Sequence, residues 1–189
     1  MTYYSQFGED QWIDERFVLP EKGVYVDVGA AYRTLISNTA FLRDRGWTGL
    51  AVDANSAYAQ DWKDFLFEVA VVSRIPEVRF QLDGNLCMSK VTEGEPNVKT
   101  VTLESLLVKH NIGTIDFLSL DVEAHEFDAL MSMDLQKHRP HIVVSEYSTL
   151  NVGEDLRVRD FLVSQGYEMV SQNYSNVILI DPKTVKRIH

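Results

Sequence analysis

Val24-Tyr-Val-Asp-Val-Gly-Ala30, followed one helix later by Gly46-Trp-Thr-Gly-Leu-Ala-Val-Asp53, decides the fold of this chain. Each is a short, β-branched, apolar run that stops at an acid, as expected of a strand buried on both faces. Between them, Ser37-Asn-Thr39 precedes Ala40, Phe41 and Leu42, with basic residues and then Gly46 beyond. A small polar cap before the apolar residues and glycine after them are helix start and stop signals. Strand, helix and strand in that order build a parallel sheet.

The same alternation continues outward. Ser56 is placed to cap a helix carrying Ala57, Trp62, Phe65 and Leu66, and residues 69–72 read as a buried strand. Residues 78–82 alternate apolar and polar, so they predict an exposed strand or hairpin arm, and 84–99 is expected to be a mobile surface loop. A helix is expected from Thr102, a strand over 115–120 ending at Asp121, a helix over 125–135, a strand from Ile142 ending near Glu146, and a last helix over 155–165. Residues 167–170 and 177–180 are separated by a link too short for a helical crossover, so they should pair antiparallel. One α/β domain over residues 1–189 is expected, with residues 1–20 forming an N-terminal helical cover.

Charge narrows the partners. Lys and Arg number 18 against 28 Asp and Glu, for a formal charge of -10. This disfavours nucleic acid and anionic membrane surfaces as partners. The lone Cys87 can form neither an internal disulfide nor a thiolate metal cage, and no apolar run approaches the roughly 18–20 residues that span a bilayer. The start Met-Thr-Tyr-Tyr-Ser-Gln lacks a secretory pattern, so a cytoplasmic location is expected.

In an open α/β sheet the ligand crevice lies beyond the carboxyl ends of the strands. Acids recur at that rim: Asp27, Asp53, Asp121 with Glu123, and Glu146. Asp27 and Asp53 have the spacing of a nucleotide-binding unit whose second acid accepts the ribose hydroxyls. A dinucleotide, however, needs G-x-G-x-x-G, and Gly29 is followed by Ala30, Ala31, Tyr32 and Arg33. S-adenosylmethionine carries no phosphate and is cationic at its amino group and sulfonium, so it suits an acidic cleft better.

Taken in order, Val24–Ala30, Ser37-Asn-Thr39, Gly46–Asp53, Thr102-Leu-Glu-Ser-Leu106 and Ile115-Asp-Phe-Leu-Ser-Leu-Asp-Val-Glu-Ala-His-Glu126 resemble the FkbM-type methyltransferase family, and Tyr4-Ser-Gln-Phe-Gly-Glu-Asp10 is similar to a segment that often precedes that domain. The resemblance implies a Rossmann-like class I methyltransferase fold, with a mostly parallel seven-stranded sheet, an antiparallel C-terminal strand and helices on both faces. It also implies S-adenosylmethionine as cofactor and O-methylation of a hydroxyl on a sugar or small natural product. Two departures stand out: Ala124 where the family commonly has Gly, and Ala31-Tyr32-Arg33 in place of a Gly- or Asn-rich turn, which brings an aromatic ring and a cation near the cofactor's methionine end.

The resemblance assigns Asp27, Gly29, Ala30 and Ala31 to the methionyl part, Ser37 and Asn38 to the cofactor carboxylate, and Asp53 to the ribose. Ala54, Ala70 and Val71 are expected beside the adenine, Asp121 at the cofactor's reacting end, and Gln6 or Glu9 over the cleft. Asp121, Glu123 and His125 are the catalytic candidates, because a hydroxyl acceptor must lose its proton to a base within reach. His125 has the most suitable ordinary pKa. A divalent metal is not favoured, with Asp121, Glu123 and Glu146 as its candidate ligands. The N-terminal aromatics Tyr3, Tyr4, Phe7 and Trp12 could offer a face to a sugar. The expected partner is a small-molecule or glycan hydroxyl, with the oligomeric state unassigned. The competing readings are an S-adenosylmethionine-binding scaffold without turnover and a nucleotide-dependent oxidoreductase.

Overall fold

The computed structural model describes residues 1–82, 89–149 and 153–188. Its centre is a seven-stranded mixed sheet. In chain order its strands are β1 (Val24–Val28), β2 (Thr48–Asp53), β3 (Phe67–Val69), β4 (Phe117–Leu120), β5 (Ile142–Glu146), β6 (Glu168–Gln172) and β7 (Asn176–Ile180). Their spatial order is β6-β7-β5-β4-β1-β2-β3. The pairs β1/β2, β1/β4, β2/β3 and β4/β5 are parallel, whereas β7 runs against both β5 and β6. The chain leaves β1 towards β2 on one side and later returns to β4 on the other. The carboxyl ends of β1 and β4 therefore flank the point where the winding reverses, which is where an open sheet leaves a crevice.

Alternation along the strands sorts their side chains onto two faces. Val26, Val28, Leu118, Leu120, Val143, Val177 and Leu179 face one way, against residues of α3 (Leu103–Lys109), α4 (Glu126–Leu130), α5 (Leu135–His138) and α6 (Arg157–Ser164). Tyr25, Phe117, Ile142, Val144, Ile178 and Ile180 face the other way, against Ile13 of α1 (Glu9–Asp14) and Phe41 and Leu42 of α2 (Ala40–Asp44). Helices thus cover both faces.

Local signals set the ends of the elements. After α2, Gly46 at φ 81 gives its N–H to Arg43 O at 2.8 Å, and Trp47 gives its N–H to Leu42 O at 3.1 Å. That is the paired closure of a glycine-ended helix. At the start of α3, Thr102 accepts the Ser105 N–H on its side-chain oxygen.

Several boundaries differ from the sequence reading. The helix expected from Ser56 is only a 3-10 turn over Ser56–Tyr58, capped by Asn55. The strand expected over 69–72 lies earlier, at β3, which leaves Ala70 and Val71 beyond its end. The helix expected over 125–135 is broken into α4 and α5, because Asp134 accepts the N–H groups of Gln136 and Lys137 and so starts a new helix. Between them Ser132 accepts the Leu103 N–H at 2.8 Å and donates to Ala129 O, tying the break to the start of α3.

Part of the loop expected over 84–99 lies outside the described residues. The rest carries strands Lys90–Thr92 and Val98–Lys99, which flank Glu77–Gln81 in a three-stranded antiparallel sheet. The N-terminal segment, expected as a helical cover, is helical only over α1, and Phe17–Val18 pairs antiparallel with Lys186–Arg187. Before α1, buried Asp10 gathers the Tyr4 and Ser5 N–H groups and the Ser5 hydroxyl, which keeps that stretch non-helical. No helix among the described residues is long and apolar enough to cross a membrane.

Candidate functional site

The turn after β1 is held between β2 and β4. Gly29 has φ +83, and a Cβ built there would lie 1.6 Å from Asp121 O, so only glycine fits. The Gly29 and Ala30 N–H groups donate to Val52 O at 2.9 and 3.1 Å, and Ala31 N–H donates to Asp53 Oδ2 at 2.9 Å. The other Asp53 oxygen accepts Asn55 N–H at 2.8 Å. Asp53 is thus locked in place, with a second lone pair on each oxygen still available. Burial raises its pKa above the ordinary carboxylate value, against the pull of those two backbone bonds.

The Tyr32 ring, expected near the cofactor's methionine end, packs instead edge-on against Tyr58 at 4.9 Å. Arg33 lies over Phe65, and neither residue lines the cavity. The segment after β2 supplies both rings, and of the two only Tyr58 lines the cavity. Trp62 completes the packing by donating its indole N–H to Ala31 O at 2.9 Å.

Asp27 is buried beneath this turn, and Thr39 donates its hydroxyl to Asp27 Oδ2 at 2.5 Å. Burial raises the Asp27 pKa, opposed first by the Thr39 bond and then by Arg43. Arg43 donates to Thr39 Oγ1 at 2.6 Å, to Ser37 Oγ and to Arg33 O, and its guanidinium stands 4.5 Å from the Trp62 ring. Sequence reading had not singled out Arg43. Its position one helical turn after Thr39 was the available signal. Ser37 accepts the Ala40 N–H at the start of α2 at 3.2 Å as well as lining the cavity, and Asn38 donates to Ser119 Oγ at 3.3 Å.

Beyond β4 the backbone turns sharply. Glu123 and Ala124 lie at φ 55 and φ 72, consecutive left-handed residues with side chains. Buried Glu126 holds this turn by accepting Val122 N–H at 2.8 Å and Ala124 N–H at 3.2 Å on one oxygen. Burial pushes Glu126 up to about 8. The turn carries Asp121 and Glu123 towards Glu146 at the end of β5, and one oxygen of each lies within 4.8 Å of the others. Among the described residues this is the group that could hold a metal ion.

Burial first raises both Asp121 and Glu146 above ordinary carboxylate values; repulsion from Glu123 and Asp27 adds to the rise of Asp121, and repulsion from Asp121, Glu126 and Glu123 to that of Glu146. With their oxygens this close, the two carboxyls titrate as a pair. Glu123 is also raised by burial, with Lys90 pulling it back.

His125 lines the cavity, but its ring is engaged within the protein. Nε2 is 2.9 Å from Ser73 Oγ, and Nδ1 faces Asp128 at 3.9 Å. Burial lowers its pKa. Glu9, expected over the cleft, points away from it: its buried carboxylate accepts Asn173 Nδ2 at 2.6 Å, Asn176 Nδ2 at 2.7 Å and the Phe7 N–H at 3.1 Å.

One cavity of about 280 Å³ is lined by Gln6, Asp27, Gly29, Ala30, Ala31, Ser37, Asn38, Asp53, Ala54, Ala70, Val71, Asp121, Glu123, His125 and Glu146. Every residue named above as a cofactor, catalytic or metal candidate, apart from Glu9, therefore meets in one place. Sequence reading did not identify Phe80, Ser89 and Val91, which the small antiparallel sheet and the residue before its Lys90–Thr92 strand bring to the wall, nor Tyr58 and Ser175. The alternation around Phe80 announced a strand, and nothing local announced where it would pack.

Residues 86–169 match the family model of the methyltransferase FkbM domain. The matched stretch holds Asp121, Glu123, His125 and Glu146 and ends before β7. It bears out the family resemblance and supports a methyltransferase in general. No curated protein and no solved structure matches the chain.

Proposed function

We propose that this chain is an S-adenosylmethionine-dependent O-methyltransferase of Rossmann-like class I architecture, acting on a hydroxyl of a sugar or small natural product. The observation that carries the reading is the state of the turn after β1. The N–H groups of Gly29, Ala30 and Ala31, which would have to cradle a diphosphate, are all given to Val52 O and Asp53. What the turn presents to the cavity instead is carboxylate, from Asp27, Asp53 and Asp121. Such a lining repels a dinucleotide and attracts a phosphate-free cation.

The residues fit that cofactor. Gly29 lets the turn after β1 close against the Asp121 backbone beside the cavity, and Asp53 has lone pairs for two ribose hydroxyls on a carboxylate already fixed in position. Asp27, Gly29, Ala30 and Ala31 would hold the methionyl part, Ser37 and Asn38 its carboxylate, and Ala54, Ala70 and Val71 the adenine, with Gln6 covering the cleft. When bound, the cofactor supplies an electrophilic methyl group on its sulfonium.

The chain must then bring an acceptor hydroxyl into line and remove its proton. The base in this reading is Asp121, which lines the cavity beside Glu123 and Glu146 and whose pKa burial raises to about 7. Glu123 stands beside it to orient the acceptor, and His125, bonded to Ser73, supports the turn. The acidic chain favours an uncharged acceptor over nucleic acid or an anionic membrane surface.

Titration calorimetry with S-adenosylmethionine, S-adenosylhomocysteine and NAD tests the reading. Binding of the first two without NAD is expected. Tight NAD binding with no heat from either sulfur compound would overturn it.

A further inference from the structure

Two exposed aromatic rings stand at the edge of the cavity. Tyr174, in the link between β6 and β7, is 83% exposed, and Phe7, before α1, is 43% exposed. Their centroids are 6.5 Å apart with planes inclined by 31°. Their chain neighbours Ser175 and Gln6 line the cavity itself. One exposed aromatic residue on a protein surface needs no explanation. Two from opposite ends of the chain, side by side next to an acidic cavity, are a different matter.

Both rings are carried on rigid backbone. Glu9, 1% exposed, accepts from Asn173 and Asn176 on either side of Tyr174, and its second oxygen accepts the Phe7 N–H. Asn173 Oδ1 in turn accepts the Ser175 and Asn176 N–H groups, and Tyr147 is bonded to both Ser175 O and Asn173 O. A buried carboxylate is thus committed to joining two loops whose outward products are exposed rings.

We propose that Phe7 and Tyr174 form a stacking subsite for a sugar ring of the methyl acceptor, presenting one of its hydroxyls to the acids in the cavity. This rests on the methyltransferase reading above and deepens it by naming the acceptor as a neutral carbohydrate. A pyranose has an apolar C–H face that lies on aromatic rings and a rim of hydroxyls that carboxylates accept, and this edge of the protein offers both in that order. The excess of acidic residues favours neutral over phosphorylated or uronic sugars.

The test uses saturation-transfer NMR on the full chain, with S-adenosylhomocysteine present. The panel is the methyl glycosides of neutral hexoses and 6-deoxyhexoses, with a catechol and a flavonol as planar, non-sugar competitors. At least one glycoside should bind. Tyr174→Ala should weaken it about three- to tenfold, Phe7→Ala somewhat less, and Tyr174→Phe little, while calorimetric affinity for S-adenosylhomocysteine stays unchanged in all three. That unchanged affinity also shows that the variants are folded. Binding of the phenols alone, glycoside binding indifferent to Tyr174→Ala, or no glycoside binding at all would overturn the subsite. Loss of S-adenosylhomocysteine binding by the unmodified protein would instead remove the function on which it rests.

Discussion

Replacing Gly29 with alanine tests how the site is built. Two costs add at this position. The backbone sits at φ +83, which for an ordinary L-residue costs about 1–2 kcal/mol. The new methyl carbon would also lie 1.6 Å from Asp121 O, a backbone atom that cannot rotate aside, so the end of β1 must move away from the end of β4. Forcing extra volume into packed structure costs about 1–3 kcal/mol. Together roughly 2–5 kcal/mol is expected, or a fall in melting temperature on the order of 10 °C for a chain of this size. Gly46 supplies the control. It has nearly the same φ, +81, but nothing within 4 Å of its built Cβ, so Gly46→Ala should show the backbone cost alone. Thermal and urea unfolding followed by circular dichroism would measure both, and S-adenosylhomocysteine affinity should fall for Gly29→Ala and hold for Gly46→Ala. Equal destabilisation by the two substitutions, or a Gly29→Ala protein as stable as the parent, would refute the claim that this turn is packed against Asp121.

Three further outcomes follow from the same geometry. Asp53→Ala should weaken S-adenosylhomocysteine binding by roughly 1.5–3 kcal/mol and also cost stability, because Ala31 and Asn55 lose their acceptor; calorimetry and urea midpoints separate the two effects, and parental affinity in a folded variant counts against the ribose role. Ala124→Gly should raise the urea midpoint by up to about 1 kcal/mol of stability, since glycine occupies φ 72 freely, and a lower midpoint would show that the left-handed turn is not strained. The third concerns pH. Glu126 ordinarily titrates at 4.5 and is pushed up to about 8 by burial, so the folded chain keeps a proton that the unfolded chain has lost. Its contribution is complete below 4.5 and lost as pH rises towards 8, and Asp121 and Glu146 are shifted the same way. His125 is lowered from 6.5 and works in the opposite direction only below that value. Stability should therefore decline between pH 6.5 and 8 and decline less in Glu126→Gln; a midpoint that rises across that window would contradict the burial of these acids.

The alternation of β-branched runs with capped helices made the α/β class legible, because which face of an element is apolar is written in nearby residues. The strand-end rule likewise brings out Asp27, Asp53, Asp121 and Glu146, and all four line one cavity. Boundaries fared worse where a distant partner decided them. Asp134 restarts a helix that periodicity would run straight through, and Ser132 holds the break because Leu103 needs an acceptor there. Phe80 and Val91 reach the site only because a second sheet folds over it.

Sequence by itself determined the alternation of strands and helices and the acidic rim, since each depends on residue type and short-range spacing, whereas the need for glycine at position 29 comes from its contact with Asp121 O, far along the chain. Tertiary structure alone decided that the amides after β1 are already spent on Val52 and Asp53, that Glu146 converges with Asp121 and Glu123, and that Glu9 turns from the cleft to bind Asn173 and Asn176. Those facts are distances between groups far apart in the chain. Hydrogen bonds and desolvation act across such gaps, and periodicity along the chain carries no record of them.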